Sequence, residues 1–197
     1  MRKNALILFR LKIKVIEMNY HEIRTDDILN GESLRCTVFI SGCLLACDKC
    51  FNPQTWDFKS GKPFDDSAMQ ELLEKLDKPY IAGLTLSGGN PLEVRNITDV
   101  DKIVTTVREK FGKTKTIWIY TGYTYEEIMD NFVNITNPMI PVNHYVNVLQ
   151  LIDVLVDGRY VDELNDVKFP YRGSTNQRLI DVRKSIDAGK AVLYELR

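Results

Sequence analysis

Cys36-Thr-Val-Phe-Ile-Ser-Gly-Cys43-Leu-Leu-Ala-Cys47-Asp-Lys-Cys50 begins as an apolar, β-branched run and ends as a loop carrying three closely spaced thiols. The run from Cys36 to Ser41 predicts a short buried strand, and Gly42 turns the chain out of it. The cysteine loop therefore leaves the carboxyl end of a strand. The same punctuation recurs downstream. Ile81 to Ser87 reads as a strand closing on Gly88-Gly89, Thr116 to Tyr120 as one ending at Thr121-Gly122, and Asp153 to Asp157 as one broken by Gly158.

Between these strands the apolar period becomes helical. Met69, Leu72, Leu73 and Leu76 share a face behind a cap at Asp65 or Asp66, with Lys78-Pro79 as the stop. Ile97, Val100, Ile103, Val104, Val107 and Phe111 form a second face ending at Gly112, and Thr124 with Glu127 has capping-box spacing for a third helix. Asn134 to Asn147, with Pro138 and Pro141, predicts a loop or insertion. The tail predicts a strand at Leu179 to Val182, a short helix near Lys184 to Ala188 and a last strand at Ala191 to Tyr194. Alternating strands and helices predict an α/β fold with parallel strands and crossover helices. A partial (βα) barrel, open on one side, suits this length, because eight complete units need about 250 residues. Reactive groups would collect at the carboxyl edge of its sheet.

The chain has 197 residues, 44% of them hydrophobic, enough for one core and too few for two full domains. Its 26 basic and 27 acidic residues leave no global field to gather nucleic acid or an anionic membrane. No apolar run approaches the length of a bilayer span. These features predict a cytoplasmic protein with no nucleic-acid or membrane partner. Residues 1–17 differ from the rest, with Arg2, Lys3, Arg10, Lys12 and Lys14 against the single acid Glu17. They read either as an N-terminal extension outside the native protein, which then starts at Met18, or as an extra strand, since Leu11 to Val15 alternates apolar and basic. Residues 18–197 read as a single domain.

All four cysteines lie between positions 36 and 50, too clustered for a disulfide framework, so they are expected as thiols that bind or react. The spacing of Cys43, Cys47 and Cys50 lets one loop wrap a compact inorganic centre with three thiolates. On a 4Fe-4S cubane, three ligands leave one iron open. Zinc is the rival, with Cys47 and Cys50 as a half-site and Cys36 as a further sulfur. Structural zinc usually pairs two short knuckles, however, and His21 and His144 are isolated. Reactive or structural thiols are a third reading. Cys36, inside an apolar strand, reads as a small core hydrophobe. An open iron can be chelated by the amine and carboxylate of an amino acid, which brings its sulfonium against a strongly reducing cluster, so that one electron splits the carbon-sulfur bond.

The cysteine spacing resembles that of the radical S-adenosylmethionine superfamily. Met18-Asn-Tyr-His21, Arg35-Cys-Thr-Val-Phe39, Ser87-Gly-Gly89, Thr121-Gly-Tyr123, Val156-Asp-Gly158 and Arg172-Gly-Ser-Thr-Asn-Gln177 resemble one branch of it, the activases of anaerobic ribonucleoside-triphosphate reductase. Nearly the whole chain after residue 17 is covered. The resemblance implies that Cys43, Cys47 and Cys50 ligate the cluster and that main-chain oxygens of Gly88 and Gly89 receive the amino group of S-adenosyl-L-methionine. The main chain from Lys49 through Cys50 to Phe51 would flank adenine, with Phe51 alternatively being core. Asn90 stands where the family usually has aspartate, keeping an acceptor oxygen without the charge. Asp157 would orient the cofactor or bind a cation, or else sit in a solvated turn. Arg172 would meet the cofactor carboxylate, the partner protein, or an ordinary surface acid.

The resemblance further implies that a deoxyadenosyl radical takes hydrogen from a backbone glycine of the large catalytic subunit of the reductase, with an electron donor such as flavodoxin or ferredoxin. No residue of the chain is needed as acid, base or nucleophile. Two other readings stand beside this one. The first is an activase of another glycyl-radical enzyme or a small-molecule radical enzyme. The second is a non-enzymatic electron-transfer or zinc-binding module, which leaves Ser87-Gly-Gly89 without a purpose.

Overall fold

Two strands open the folded chain, β1 (Asn19–Asp27), which buries Tyr20, Ile23 and Asp27, and β2 (Arg35–Ile40), buried along its whole length. They pair antiparallel because only a short turn joins them. β3 (Lys62–Pro63) adds a two-residue edge to β1. β4 (Gly83–Gly88), β5 (Thr116–Tyr120) and β6 (Val154–Asp157) continue from β2 as parallel neighbours, and β7 (Arg178–Asp181) closes the sheet antiparallel to β6. The result is an open seven-stranded sheet in the order β3-β1-β2-β4-β5-β6-β7. The computed structural model describes residues 18–166 and 168–196; the basic segment 1–17, read as extension or strand, lies outside the described residues.

The expected parallel arrangement holds for β2, β4, β5 and β6 and fails at the edges. β7 is antiparallel because the connection from Gly158 to Gln177 has no helix long enough to carry the chain back to the amino edge. The expected final strand at Ala191 to Tyr194 reduces to one isolated bridge between Ile180 and Leu193.

Helix α1 (Asp66–Leu76) starts where the Asp65 carboxylate accepts the Ala68 N–H at 3.0 Å, and it buries Ala68, Leu72 and Leu76. Helix α2 (Ile97–Phe111) buries Ile97, Val100, Ile103, Val104 and Val107. Helix α3 (Tyr125–Ile128) begins with the Thr124/Glu127 capping box and runs into a π turn, Met129–Val133. The stretch expected as a loop, Asn134 to Asn147, is helical from Val142 onward: α4 (Val142–Leu151) buries Tyr145, Val148 and Leu149. Pro138 and Pro141 precede the helix instead of interrupting it, and a proline's missing N–H costs nothing there. Helix α5 (Val182–Ala188) is capped by Asp181 and ends at Gly189, whose φ is 64°.

Strand alternation divides the core. Val38, Leu84, Leu86, Ile117, Ile119 and Leu155 join the helices in the main core, whereas Trp118, Val154, Val156 and Leu179 form a smaller cluster. Beside that smaller cluster lies Arg35, almost fully buried, with its guanidinium 5.2 Å from the Trp118 ring. It donates to Thr85 Oγ1 at 2.7 Å and to the Leu84 carbonyl at 2.7 Å, tying the amino end of β4 to β2. Burial brings its pKa down to about 10, which leaves it charged at neutral pH. No helix among the described residues is long and apolar enough to cross a membrane.

Candidate functional site

Ile40 at the end of β2 stands beside Gly88 at the end of β4, so the loops that follow both strands leave the sheet side by side. Gly89 N–H donates to the Ile40 carbonyl at 2.7 Å and Asn90 N–H to the Gly42 carbonyl at 2.8 Å. This contact requires glycine. Gly88 has φ of 100° and a Cβ there would meet the Ile40 backbone at 2.7 Å, while one on Gly89 would lie 2.6 Å from the Gly42 oxygen. The other flank of the cysteine loop is fixed by Gly42 N–H on Thr55 O at 2.7 Å and Cys43 N–H on Trp56 O at 3.0 Å.

Over this edge lies an open cavity of about 780 Å³. Cys43, Cys47 and Cys50 line it together with Ser87, Gly88, Gly89 and Asn90, and Tyr120 to Gly122 and Gly158 extend it along the ends of β5 and β6. All three cysteines are free and partly exposed. The residues just before the second and third, Ala46 and Lys49, have left-handed φ angles of 46° and 50°, a conformation costly for side-chain-bearing residues and concentrated at functional loops. Burial raises the Cys43 pKa, opposed by the nearby backbone N–H groups of Leu45 and Ala46. Asn52 N–H points at Cys50 Sγ from 3.4 Å.

Among the described residues no group of three or more His, Cys, Asp or Glu could hold a metal ion.

The structure sorts the remaining sequence-predicted residues. Phe51 lines the cavity, 64% exposed, with its ring 4.8 Å from that of Tyr160, so it is not core. The Lys49 side chain pairs with Asp162 at 2.6 Å, and Lys49 is not among the residues that line the cavity. Asn90 lines the cavity, but its side chain is spent internally: Oδ1 accepts from Thr121 Oγ1 at 2.8 Å and Leu92 N–H at 3.2 Å.

Asp157 is corrected. It is fully buried and absent from the cavity wall, and its carboxylate is taken by Arg178 and by the Tyr125 N–H. Its full burial between β6 and β7 overturns the expectation of a solvated turn. Arg172 lines the cavity and forms no ion pair among the described residues, which removes the surface-acid reading. Cys36 is fully buried in β2, where burial pushes its thiol up to about 12.

Two residues escaped the sequence reading. Asn96 is 2% exposed, and its Nδ2 donates to Ser41 O at 3.0 Å and Asn90 O at 3.1 Å, clamping both loops together. Glu93, also buried, accepts the Leu44 N–H at 3.1 Å. Nothing local in the sequence marks either residue, since each acts on a segment about fifty positions away.

Residues 29–180 match the family described as 4Fe-4S single cluster domain, so fold and site together define a single-cluster iron-sulfur protein. An anaerobic ribonucleoside-triphosphate reductase-activating protein of Escherichia coli (strain K12) is 38% identical over 162 residues, spanning 81% of this chain and 96% of the relative. Proteins of the same name are 37% identical in Enterobacteria phage T4, over 82% of this chain and 93% of the relative, and 38% identical in Haemophilus influenzae, over 81% and 96%. The chain belongs to the family of anaerobic ribonucleoside-triphosphate reductase-activating proteins.

Proposed function

We propose that this chain activates an anaerobic ribonucleoside-triphosphate reductase by reductive cleavage of S-adenosyl-L-methionine at a 4Fe-4S cluster. The observation that supports it is the shared cavity: the C-x3-C-x2-C loop and the Ser87-Gly88-Gly89 strand end line one space at the carboxyl edge of the sheet. In this reading Cys43, Cys47 and Cys50 ligate three irons, the fourth is open, and the sheet is a partial barrel of the radical S-adenosylmethionine type. The residues fit such a group. The Asn52 N–H reaches the Cys50 sulfur, as backbone donors do where a protein tunes a cluster, and Gly88 and Gly89 line the same cavity as the three cysteines. When bound, the cluster would supply the electron for reductive cleavage of S-adenosylmethionine, the chemistry by which a hydrogen atom would be taken from a backbone glycine of the reductase.

The chain's own residues bind and orient. The Gly88-Gly89 main chain receives the amino group, the Lys49–Phe51 main chain flanks adenine, and the Phe51–Tyr160 ring pair limits water at the mouth. A donor such as flavodoxin or ferredoxin brings the electron.

The test is anaerobic mixing of reduced, cluster-loaded protein with S-adenosylmethionine and the large reductase subunit, read by electron paramagnetic resonance. A glycyl radical is expected on the reductase, is lost when its candidate glycine becomes alanine, and is absent on a pyruvate formate-lyase. Equal yields on both enzymes would refute the partner. Cofactor cleavage with no protein radical would point to a small-molecule substrate.

A further inference from the structure

Glu93 carries a carboxylate at 3% exposure in the turn between β4 and α2. That turn is closed by Glu93 N–H on Asn90 O at 3.1 Å and Asn96 N–H on Glu93 O at 2.8 Å. Its Oε1 accepts the Leu44 N–H at 3.1 Å and the Asn90 amide at 3.3 Å, and the Tyr123 hydroxyl lies near the same carboxylate. The Leu44 N–H and the Asn90 amide both donate to it, as suits a carboxylate oxygen. No Lys, Arg or His pairs with it among the described residues.

An uncompensated buried charge is costly, and a glutamine would accept the same Leu44 N–H at lower cost. The charge itself therefore needs a purpose. Leu44 follows Cys43 directly, so the carboxylate lies immediately behind the first cysteine of the loop. We infer that Glu93 is a positioning residue for the iron-sulfur centre: it anchors the Cys43-Leu44 peptide and holds one negative charge behind the cluster, lowering its reduction potential. Net charge near a cluster is one of the levers that set its potential, and reduction of a sulfonium demands a low one. Asn90 fits this account. Its amide donates to Glu93, whereas an aspartate there would put two carboxylates in contact, so the corner keeps one charge.

This inference rests on the proposed ligation by Cys43, and the experiment separates the two. Wild-type, E93Q, E93A and Y123F proteins are reconstituted anaerobically, assayed for iron and sulfide, and titrated for the cluster midpoint by electron paramagnetic resonance. E93Q should hold as much iron as wild type, with a midpoint displaced to more positive potential and slower cofactor cleavage at a fixed donor potential. Y123F, which removes a neutral donor and keeps the charge, should leave the midpoint in place. E93A should lose iron on gel filtration because the loop anchor is gone. A wild-type midpoint in E93Q, or an equal displacement in Y123F, overturns the electrostatic role. Full iron retention in E93A overturns the anchoring role. A wild-type protein that forms no cluster, or one that keeps it when Cys43 becomes alanine, would instead refute the ligation reading.

Discussion

Asp157 and Arg178 meet across β6 and β7 in two parallel hydrogen bonds, Nε to Oδ1 at 3.0 Å and Nη2 to Oδ2 at 2.5 Å. A third donor, the Tyr125 N–H at the start of α3, reaches Oδ2 at 2.8 Å. The carboxylate thus joins the last strand, its neighbour and a helix start, and it is fully buried. Asp157→Asn should lower unfolding free energy by about 2 kcal/mol, below the larger figure for a fully buried pair because Arg178 is partly exposed. Urea unfolding measures this, and cluster content should be unchanged. A variant of wild-type stability that no longer binds S-adenosylmethionine would place the carboxylate in the cavity after all.

The same arginine reaches outward to Glu126, Nη2 to Oε2 at 2.6 Å, and that hydrogen bond is the main reason the Glu126 carboxyl titrates below its ordinary value. A depressed acid stabilises the fold fully above its unfolded pKa and loses the contribution as pH falls through the folded one. Glu126 is 54% exposed, so solvent screening leaves only a few tenths of a kcal/mol. Wild type should melt slightly above Glu126→Gln at neutral pH, with the gap narrowing as pH falls through the carboxylate range and reduced by salt. A gap that grows on acidification would contradict the assignment.

Cys36 and the loop cysteines should separate cleanly. Replacing Cys43, Cys47 or Cys50 by alanine should abolish the cluster and all cofactor cleavage. Cys36→Ala should retain both at a stability loss of about 1 kcal/mol, since it removes one buried sulfur from the core side of β2. Iron analysis and denaturant unfolding decide it. A folded Cys36→Ala protein devoid of iron would favour a four-sulfur site.

What the sequence revealed were the features whose physics is local. Glycines at 88, 122 and 158 closed strands, the apolar period of Ile97 to Phe111 declared a helix, and Asp65 and Thr124 announced their caps. β1 was hidden because Asn19–Asp27 is mostly polar, and its extended form comes from pairing with β2. The start of α4 was masked by prolines that lie just before it. The antiparallel return of β7 was hidden in the length of a connection, and the roles of Asn96 and Glu93 in contacts 55 and 49 residues apart. The cysteine loop was readable because its three thiols lie within eight consecutive residues, Cys43 to Cys50. The residues that hold that loop in place do not.

Arg172, half-buried, lines the cavity from the connection between β6 and β7. Its Nε is buried without a hydrogen-bond partner, its Nη1 reaches only the Gln177 carbonyl at 3.4 Å, and its guanidinium lies 4.9 Å from the Phe169 ring centre. The loop that presents it is firmly built: Tyr171 has φ of 60°, its carbonyl accepts the Tyr120 hydroxyl at 2.8 Å, and Gln177 Oε1 accepts the Gly173 N–H at 2.8 Å. A planar fork held at a cavity wall with unused donors suits a carboxylate, and the amino-acid end of S-adenosylmethionine supplies one. Arg172→Gln should therefore weaken S-adenosylmethionine binding to the cluster-loaded protein by about 10- to 100-fold, the worth of a charge-assisted hydrogen bond. Affinity for the decarboxylated analogue should change little, because that ligand has nothing for the arginine to hold. Anaerobic equilibrium dialysis with both ligands on both proteins completes the cycle. Equal weakening toward both ligands would mean the substitution merely distorts the loop. Unchanged binding of both, with a lower radical yield on the reductase, would turn Arg172 toward the partner protein.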